Sequence, residues 1–376
     1  MDSTTNSPIV TSERISAVAQ EKSCAQDAAK QMGLRYVDDS GAGYSRRKAN
    51  GKFRYYDVDG HLLTSADELQ RINSLAIPPA YTEVWISPYK NSHLQATGRD
   101  ARGRKQYRYH SAWRATRDAD KYSRLLAFGS ALPKLRSRVR RDLARPSLCR
   151  EKVLALVVQL LESTLIRVGN DEYARSNKSY GLTTLRNRHI QIAGSRVIFS
   201  FRGKSNQHHE ITLTDKKLAR IVKCCRDLPG QELFQYVDEQ GERHAIGSGD
   251  VNGYIQEIIG DEFSAKDFRT WAGTLLAASG LAALDDFSSA AEAKSNTVQV
   301  IKEVASTLGN TPAICRRCYI HPTILDAYLA RGLNRDLLQQ VKVMESSRGL
   351  RRDERWLLAF LRRKTGAKKN RPQTAR

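Results

Sequence analysis

Between residues 77 and 113 the chain interleaves cations with side chains that can touch a polymer's edges. Arg99, Arg102, Arg104, Lys105 and Arg108 alternate with Gln106, Tyr107, Tyr109 and Trp113. In an extended RKQYRYH, alternation puts Lys105, Tyr107 and Tyr109 on one face and Gln106, Arg108 and His110 on the other. Cations grip phosphates, while Gln and Tyr reach base edges or sugars. The pattern suits a nucleic-acid surface, although a solvated sheet face carries it too. Other combinations fail on spacing. Gly203-Lys204-Ser205 ends like a phosphate-binding loop, but the earlier glycine position is Ile198 and strands flank it where a helix must follow. Asp57-Val58-Asp59-Gly60 lacks the rest of a calcium loop and reads as a turn. His208 and His209 are adjacent on a strand, so they face opposite ways and cannot chelate together. Cys315 and Cys318 form a C-x-x-C with no second pair to complete a zinc site.

The elements that must hold these residues differ along the chain. Residues 1–12 lack a pattern, and Ser12 to Met32 has helical periodicity. LRYVDD and KFRYYDVDG follow as strand-like pieces, the latter with Asp59-Gly60 as a hairpin turn. Ser65 and Glu68 form a capping box opening a helix through Leu75. EVWISP, HLQATGRD and RKQYRYHS read as strands. Residues 1–118 are therefore expected to form a small β-rich domain. From 119 to 145 the pattern is helical and basic, and KVLALVVQLLESTLIRVG is apolar enough for a buried helix. HIQIAG, RVIFSFRG and HHEITLTD predict a three-stranded meander. Helices return near 215–225, 250–259, 264–279, 293–308 and 321–363. The second domain, 119–364, is thus mostly helical with one small inserted sheet, and 365–376 reads as a basic disordered tail. The fold class expected is α+β.

Composition narrows the partners. Among 376 residues, 62 Lys+Arg against 40 Asp+Glu give a net charge of +22. That excess favours a polyanion, because each phosphate neutralised releases counterions. Nucleic acid leads, with a ribosomal or membrane surface as rivals. No apolar run reaches the ~18 residues of a membrane span, and the N-terminus lacks a signal-peptide core. A cytoplasmic, nucleoid-associated location is the expectation. The six scattered cysteines do not form a disulfide framework.

One resemblance is specific. I-P-P-A-x-x-x-V-W-I-x-P from Ile77, then H-L-Q-A-T-G-x-D-A-R-G-R-K-Q-Y-R-Y-H from His93, resembles the N-terminal DNA clamp of bacterial, poxvirus-like type IB DNA topoisomerases. Ile166-Arg167-Val168-Gly169-Asn170, with Tyr173, Asn177 and Ser179 to Leu185, resembles that family's first catalytic-arginine segment. Phe201-Arg202-Gly203-Lys204 resembles the hairpin that carries its lysine. Lys266-Asp267-Phe268-Arg269-Thr270 is similar to the helix with the second arginine. Leu308-Gly309-Asn310-Thr311-Pro312 and Arg316 to Pro322 resemble the segment with the last phosphate ligand and the nucleophile. The similarity spans roughly residues 30 to 345.

The resemblance implies the tyrosine recombinase/type IB topoisomerase catalytic fold, with Arg167, Lys204, Arg269, Asn310 and Tyr319 as its active site. Tyr319 would attack a backbone phosphate, forming a 3′-phosphotyrosyl link and freeing a 5′-hydroxyl. Arg167 and Arg269 would hold the nonbridging oxygens with their planar donor forks, and Asn310 would add a hydrogen bond. A phenol ionises near pH 10 in water, so cations beside it favour the attacking phenolate. Lys204 would protonate the leaving 5′-oxygen. One phosphodiester replaces another, so ATP is not required, and side-chain charge takes the place of a metal ion. No cofactor is expected. Carried over by motif, Arg104, Lys105, Gln106, Tyr107, Tyr109 and Tyr173 would contact double-stranded DNA, and the chain would act as a monomer that relaxes supercoils. A tyrosine site-specific recombinase is the nearest alternative, but such enzymes favour H-x-x-R where this chain has Lys266-Asp267-Phe268-Arg269. A non-enzymatic DNA-binding scaffold is a second alternative, against which stands the occupation of all five positions.

Overall fold

The computed structural model describes residues 26–49, 51–101, 103, 105–333 and 349–369. The chain divides into two compact units, residues 1–121 and 122–376. The class is α+β, as expected. The helix expected from Ser12 to Met32 is described only from residue 26, where 26–31 are helical; residues 334–348 of the expected 321–363 helical part, the tail from 370 and Arg104 lie outside the described residues.

The first unit holds a five-stranded antiparallel sheet; among its described residues, 26–31 are also helical, and one further helix precedes the third strand. Its strands are β1 (Tyr44–Ala49), β2 (Lys52–Tyr56), β3 (Thr82–Ile86), β4 (Leu94–Arg99) and β5 (Lys105–Tyr109), in the order β2-β1-β3-β4-β5. Helix α1 (Ala66–Ser74) starts at Ser65, whose Oγ accepts from Glu68 N–H. The reciprocal arm of the capping box is not made, because the Glu68 carboxylate pairs with Arg71 at 2.9 Å. Ile72, Val84, Ile86 and Ala96 form the core between helix and sheet. The Asp59-Gly60 turn is present, with Asp57 Oδ1 accepting from Asp59 and His61 N–H. Leu34–Asp39, expected as a strand, makes one parallel bridge, Arg35 to Ser92. The chain then turns away where the Asp38 carboxylate accepts from Ser40 N–H.

Helix α2 (Ser111–Leu143) begins eight residues before the expected 119. His110 Nδ1 accepts from Ala112 N–H at its start, and Trp113 is buried against Ala29 and Leu34. Charge hid this first turn from a reading by apolar periodicity.

The second unit packs helices around α3 (Arg150–Thr164), nine of whose residues are buried. After α4 (Asp171–Asn177) come strands β6 (Ile190–Ala193), β7 (Arg196–Arg202) and β8 (His208–Thr214), the meander expected from sequence, in the order β6-β7-β8. Helix α5 (Lys216–Arg226) leads to β9 (Gln235–Val237) and β10 (Arg243–Ala245), a second small sheet that the sequence reading missed. Three residues per strand leave almost no alternation to detect, and the hairpin rests on Asp238 Oδ1 accepting from Gln240 and Glu242 N–H. Helices α6 (Ser248–Ile259), α7 (Ala265–Ala282), α8 (Ala290–Leu308), α9 (Pro312–Cys318), α10 (Pro322–Leu329) and α11 (Arg352–Lys369) complete the unit. Helix α11 runs past Thr365, so residues 365–369 are helical rather than a disordered tail; Asp353 and Glu354 favour its N-terminal turn.

Candidate active site

Arg167 owes its position to the end of α3. The apolar run 152–169 reads as one helix, but the helix stops at Thr164, and Leu165 takes a left-handed conformation at φ 56°. Thr164 Oγ1 donates back to Leu160 O and accepts from Ile166 N–H. The chain leaves extended, pinned by Leu182 N–H to Arg167 O at 2.9 Å and Thr183 N–H to Val168 O at 2.7 Å. Arg167 Nη2 donates to Asn310 Oδ1 at 2.6 Å, and the guanidinium lies near enough to the Tyr319 phenol to interact with it electrostatically. Burial, then the nearby Arg269 charge, lowers the Arg167 pKa from its usual value. Two guanidinium groups held this close make a site for an anion.

Arg269 comes from α7, which Ser264 and Asp267 open with a capping box. Only 5% exposed, it donates Nη1 to Leu165 O and Nη2 to Leu308 O at 2.6 Å. Its Nε is buried with no hydrogen-bond partner. A buried donor without an acceptor is costly, and here it belongs to a cation fixed by two carbonyls. The guanidinium carbon lies 5.2 Å from the Tyr319 ring centroid.

Asn310 follows Gly309, the left-handed cap of α8 at φ 56°. Its backbone N–H donates to Ala305 O at 2.9 Å. With Oδ1 accepting from Arg167, the amide is oriented so that its Nδ2 is the remaining donor, with only a long 3.5 Å contact to Leu308 O. Tyr319 caps α9. Thr274 Oγ1 donates to its carbonyl at 3.2 Å and accepts His321 N–H at 3.1 Å, which locks the turn after the helix. Gly273 lets α7 approach closely: a Cβ there would fall 2.7 Å from Tyr319 O. Tyr122 OH donates to Arg317 O at 3.0 Å.

Arg167, Arg269, Asn310 and Tyr319 therefore converge, as expected. Lys204 stands apart from them in its contacts. It is exposed, in a short 3-10 turn between β7 and β8, and makes no hydrogen bond or ion pair with a described residue. A cavity of about 20 Å³, room for a single water, lies between Arg167, Arg269, His209 and Leu308. His209 was noted in the sequence only as unable to chelate with His208. Alternation had put one of the pair facing inward, and it is His209, half-buried, while His208 is exposed. Burial, then Arg167 and Arg269, lowers the His209 pKa. Thr274 and Gly273 carried no motif signal. Burial raises the Cys315 thiol pKa, so that cysteine does not offer an easily formed thiolate.

In the first unit, β5 alternates as expected: Lys105, Tyr107 and Tyr109 are exposed, Gln106 and Arg108 half-buried. The Tyr107 and Tyr109 rings stack at 6.0 Å. Lys105 Nζ pairs with Asp39 at 2.6 Å, and that hydrogen bond raises its pKa. Gln106 Nε2 donates to Asp100 Oδ2 at 3.0 Å, so the amide already has a partner. Tyr173 belongs to α4, but its side chain is outside the described residues. Asp57, Asp59 and His61 bring potential ligand atoms within 4.8 Å of one another. They lie on an exposed turn in which Asp57 Oδ1 already serves backbone N–H groups.

Comparison with known proteins bears on both units. Residues 110–340 match the family model for the eukaryotic DNA topoisomerase I catalytic core. Residues 52–100 match the model for the bacterial DNA topoisomerase IB N-terminal domain. The DNA topoisomerase 1B of Acanthamoeba polyphaga mimivirus is 35% identical over 293 residues, covering 76% of this chain and 87% of that protein. The DNA topoisomerase 1B of Vaccinia virus (strain Copenhagen) is 23% identical over 249 residues, covering 65% of this chain and 75% of that protein.

Proposed function

The chain belongs to the type IB DNA topoisomerases, isomerases that relax DNA, and from that premise we propose how its residues perform the reaction. Tyr319 attacks a backbone phosphate. The bond from the phenolic oxygen to phosphorus forms as the bond from phosphorus to the 5′-oxygen breaks, leaving a 3′-phosphotyrosyl link. Arg167 stands beside the phenol, its charge bearing on the attacking oxygen. Arg167 and Arg269 take the charge that develops on the nonbridging oxygens. Asn310 donates to the same oxygens through Nδ2. The observation that carries this reading is the Arg269 guanidinium, fixed by two backbone carbonyls and left with one buried, unpartnered Nε–H.

Lys204 gives its proton to the leaving 5′-oxygen. Its exposed place in the hairpin turn suits a residue that enters the cleft when DNA binds. Religation runs the steps backwards, and because one phosphodiester is exchanged for another, supercoil strain alone drives net relaxation. We propose further that one chain acts as a monomer on duplex DNA at the nucleoid, with Lys105, Tyr107 and Tyr109 contacting the duplex. Arg104, Gln106 and Tyr173 belong to the same proposal by motif. No helix among the described residues is long and apolar enough to cross a membrane.

The test is relaxation of a supercoiled plasmid in EDTA by wild type and Tyr319→Phe, with denaturant trapping of the protein–DNA adduct. Wild type is expected to relax the plasmid in a ladder and leave its adduct on Tyr319 at a 3′-end. Relaxation by Tyr319→Phe at the wild-type rate, or an adduct mapped to another residue, would overturn the assignment.

A further inference from the structure

His209 lies outside the five residues assigned above, yet it occupies the point where two of their supports meet. It pairs with Phe201 in the β7–β8 register, and its ring stacks on Phe201 at 5.3 Å with a 27° interplanar angle. Glycines close on two edges of the imidazole. A Cβ on Gly203 would fall 2.5 Å from His209 Cδ2, and a Cβ on Gly309 would fall 2.4 Å from Cε1. Contacts that short are not tolerated, so the ring keeps its slot only because neither neighbour has a side chain. Gly203 is the residue before Lys204, and Gly309 is the residue before Asn310. The two loops meet through this one ring.

We infer that His209 is a positioning residue whose ring sets the spacing between the hairpin carrying Lys204 and the loop carrying Asn310. The inference rests on the roles proposed for those two residues. The imidazole acts by shape: it makes no hydrogen bond with a described side chain, and the planar ring fills a planar gap. The neutral form suits this place. The charged or titratable groups bearing on the ring are Arg167 from the segment after α3, Arg269 from α7 and His208 on its own strand. None of them offers an anion to a protonated ring. A wedge of this kind matters because a displacement of about 1 Å between groups that act on one phosphate can cost on the order of 100-fold in rate.

The experiment measures single-turnover cleavage of a duplex carrying either the normal 5′-bridging oxygen or a 5′-bridging sulfur, which departs without a proton. His209→Ala is expected to slow cleavage of the oxygen substrate by about 30-fold and to slow the sulfur substrate distinctly less. Added to a Lys204→Ala/Asn310→Ala background, the same change should cost no more than about 3-fold, because residues acting through one another are not additive. His209→Phe keeps a planar ring without the nitrogens and should cleave within about 5-fold of wild type; it also serves if His209→Ala shows no cooperative melt. Equal slowing on both substrates, full additivity in the double background, or a folded Phe variant as slow as Ala would each overturn the inference. Lys204→Ala alone is the reference arm. If sulfur fails to rescue that variant, the role of Lys204 itself is wrong. If sulfur rescues it but not His209→Ala, the fault lies with His209.

Discussion

At the scale of single residues, the amide of Asn310 separates two kinds of contribution. Its Oδ1 holds the Arg167 fork, and its Nδ2, with only a 3.5 Å contact to Leu308 O, is the donor proposed for a phosphate oxygen. Asn310→Ala removes both and is expected to lower cleavage by on the order of 100-fold, as loss of one preorganised donor does. Asn310→Asp keeps an acceptor for Arg167 but replaces the donor with a carboxylate oxygen, a repulsive neighbour for phosphate. It should be slower than Asn310→Ala, and single-turnover cleavage by the two variants checks the order. The residue types of the proposed site, Arg, Lys, Arg, Asn and Tyr, stand in ordered motifs that resemble the family's, and the convergence of four of them in space agrees with that reading. The amide's orientation was not legible in the sequence, since it is set by an arginine 143 residues away. Nor was the role of the Leu165 and Leu308 carbonyls, because backbone atoms leave no mark in a sequence.

At the scale of elements, what matters is where helices stop and how closely they pass. The run from Lys152 to Gly169 is mostly apolar on both sides of residue 165, so its pattern gives little cue for the break at Leu165, a left-handed position without the glycine that usually announces one. The three-stranded meander was legible because seven-residue strands show their alternation, whereas the three-residue strands β9 and β10 do not. Gly273 illustrates close passage. In a free helix Gly→Ala gains about 1 kcal/mol, but here the new Cβ would sit 2.7 Å from Tyr319 O and 3.0 Å from Tyr319 Cβ. Gly273→Ala is therefore expected to reduce cleavage by about tenfold or more without raising the melting temperature, and paired rate and melting measurements test this.

His189 belongs to the same scale, because it ties the turn before β6 together. Its Nδ1 accepts from Arg186 N–H at 3.0 Å, and burial, then Arg188 and Arg186, pushes its pKa down to about 4 from 6.5. In the unfolded chain it takes up a proton near pH 6.5, but in the folded one not until near 4. The stability it contributes is thus complete above pH 6.5 and lost as pH falls towards 4, amounting to about 3 kcal/mol. His189→Gln should flatten that limb of the stability profile, read from urea midpoints at pH 7, 5.5 and 4.5. A midpoint for wild type that does not change between pH 7 and 4.5 would contradict it.

At the scale of the whole molecule, charge is arranged in two ways. Inside the second unit, Arg136 bridges Glu162 at 2.5 Å and Glu354 at 2.7 Å, and Glu354 is fully buried. Trp271 and Arg351 share the same carboxylate. Glu354→Gln leaves the half-buried Arg136 with one carboxylate fewer and should destabilise the protein by about 3 kcal/mol, visible in urea unfolding. The partner of Arg136 lies 218 positions away, so the tie was invisible in sequence even though the helices on either side of it were not. Outside, the net charge of +22 predicts DNA affinity that falls steeply with salt. Binding measured between 50 and 200 mM salt should lose on the order of 1000-fold, and a flat profile would argue against a phosphate-lined surface. The division into a sheet-bearing unit and a helical unit was legible from the change of period along the chain. Its position was less so, since the helix that begins at Ser111 extends on both sides of residue 121.

The Lys105–Asp39 pair gives that attraction a limit. If Lys105 contacts the duplex as proposed, it would meet a phosphate by exchanging one anion for another, so the gain in passing from the first to the second would be small in either direction. Contacts of this sort let go as readily as they form. For an enzyme that must hold a duplex while the far part of it turns, a surface that slips has more use than one that sticks.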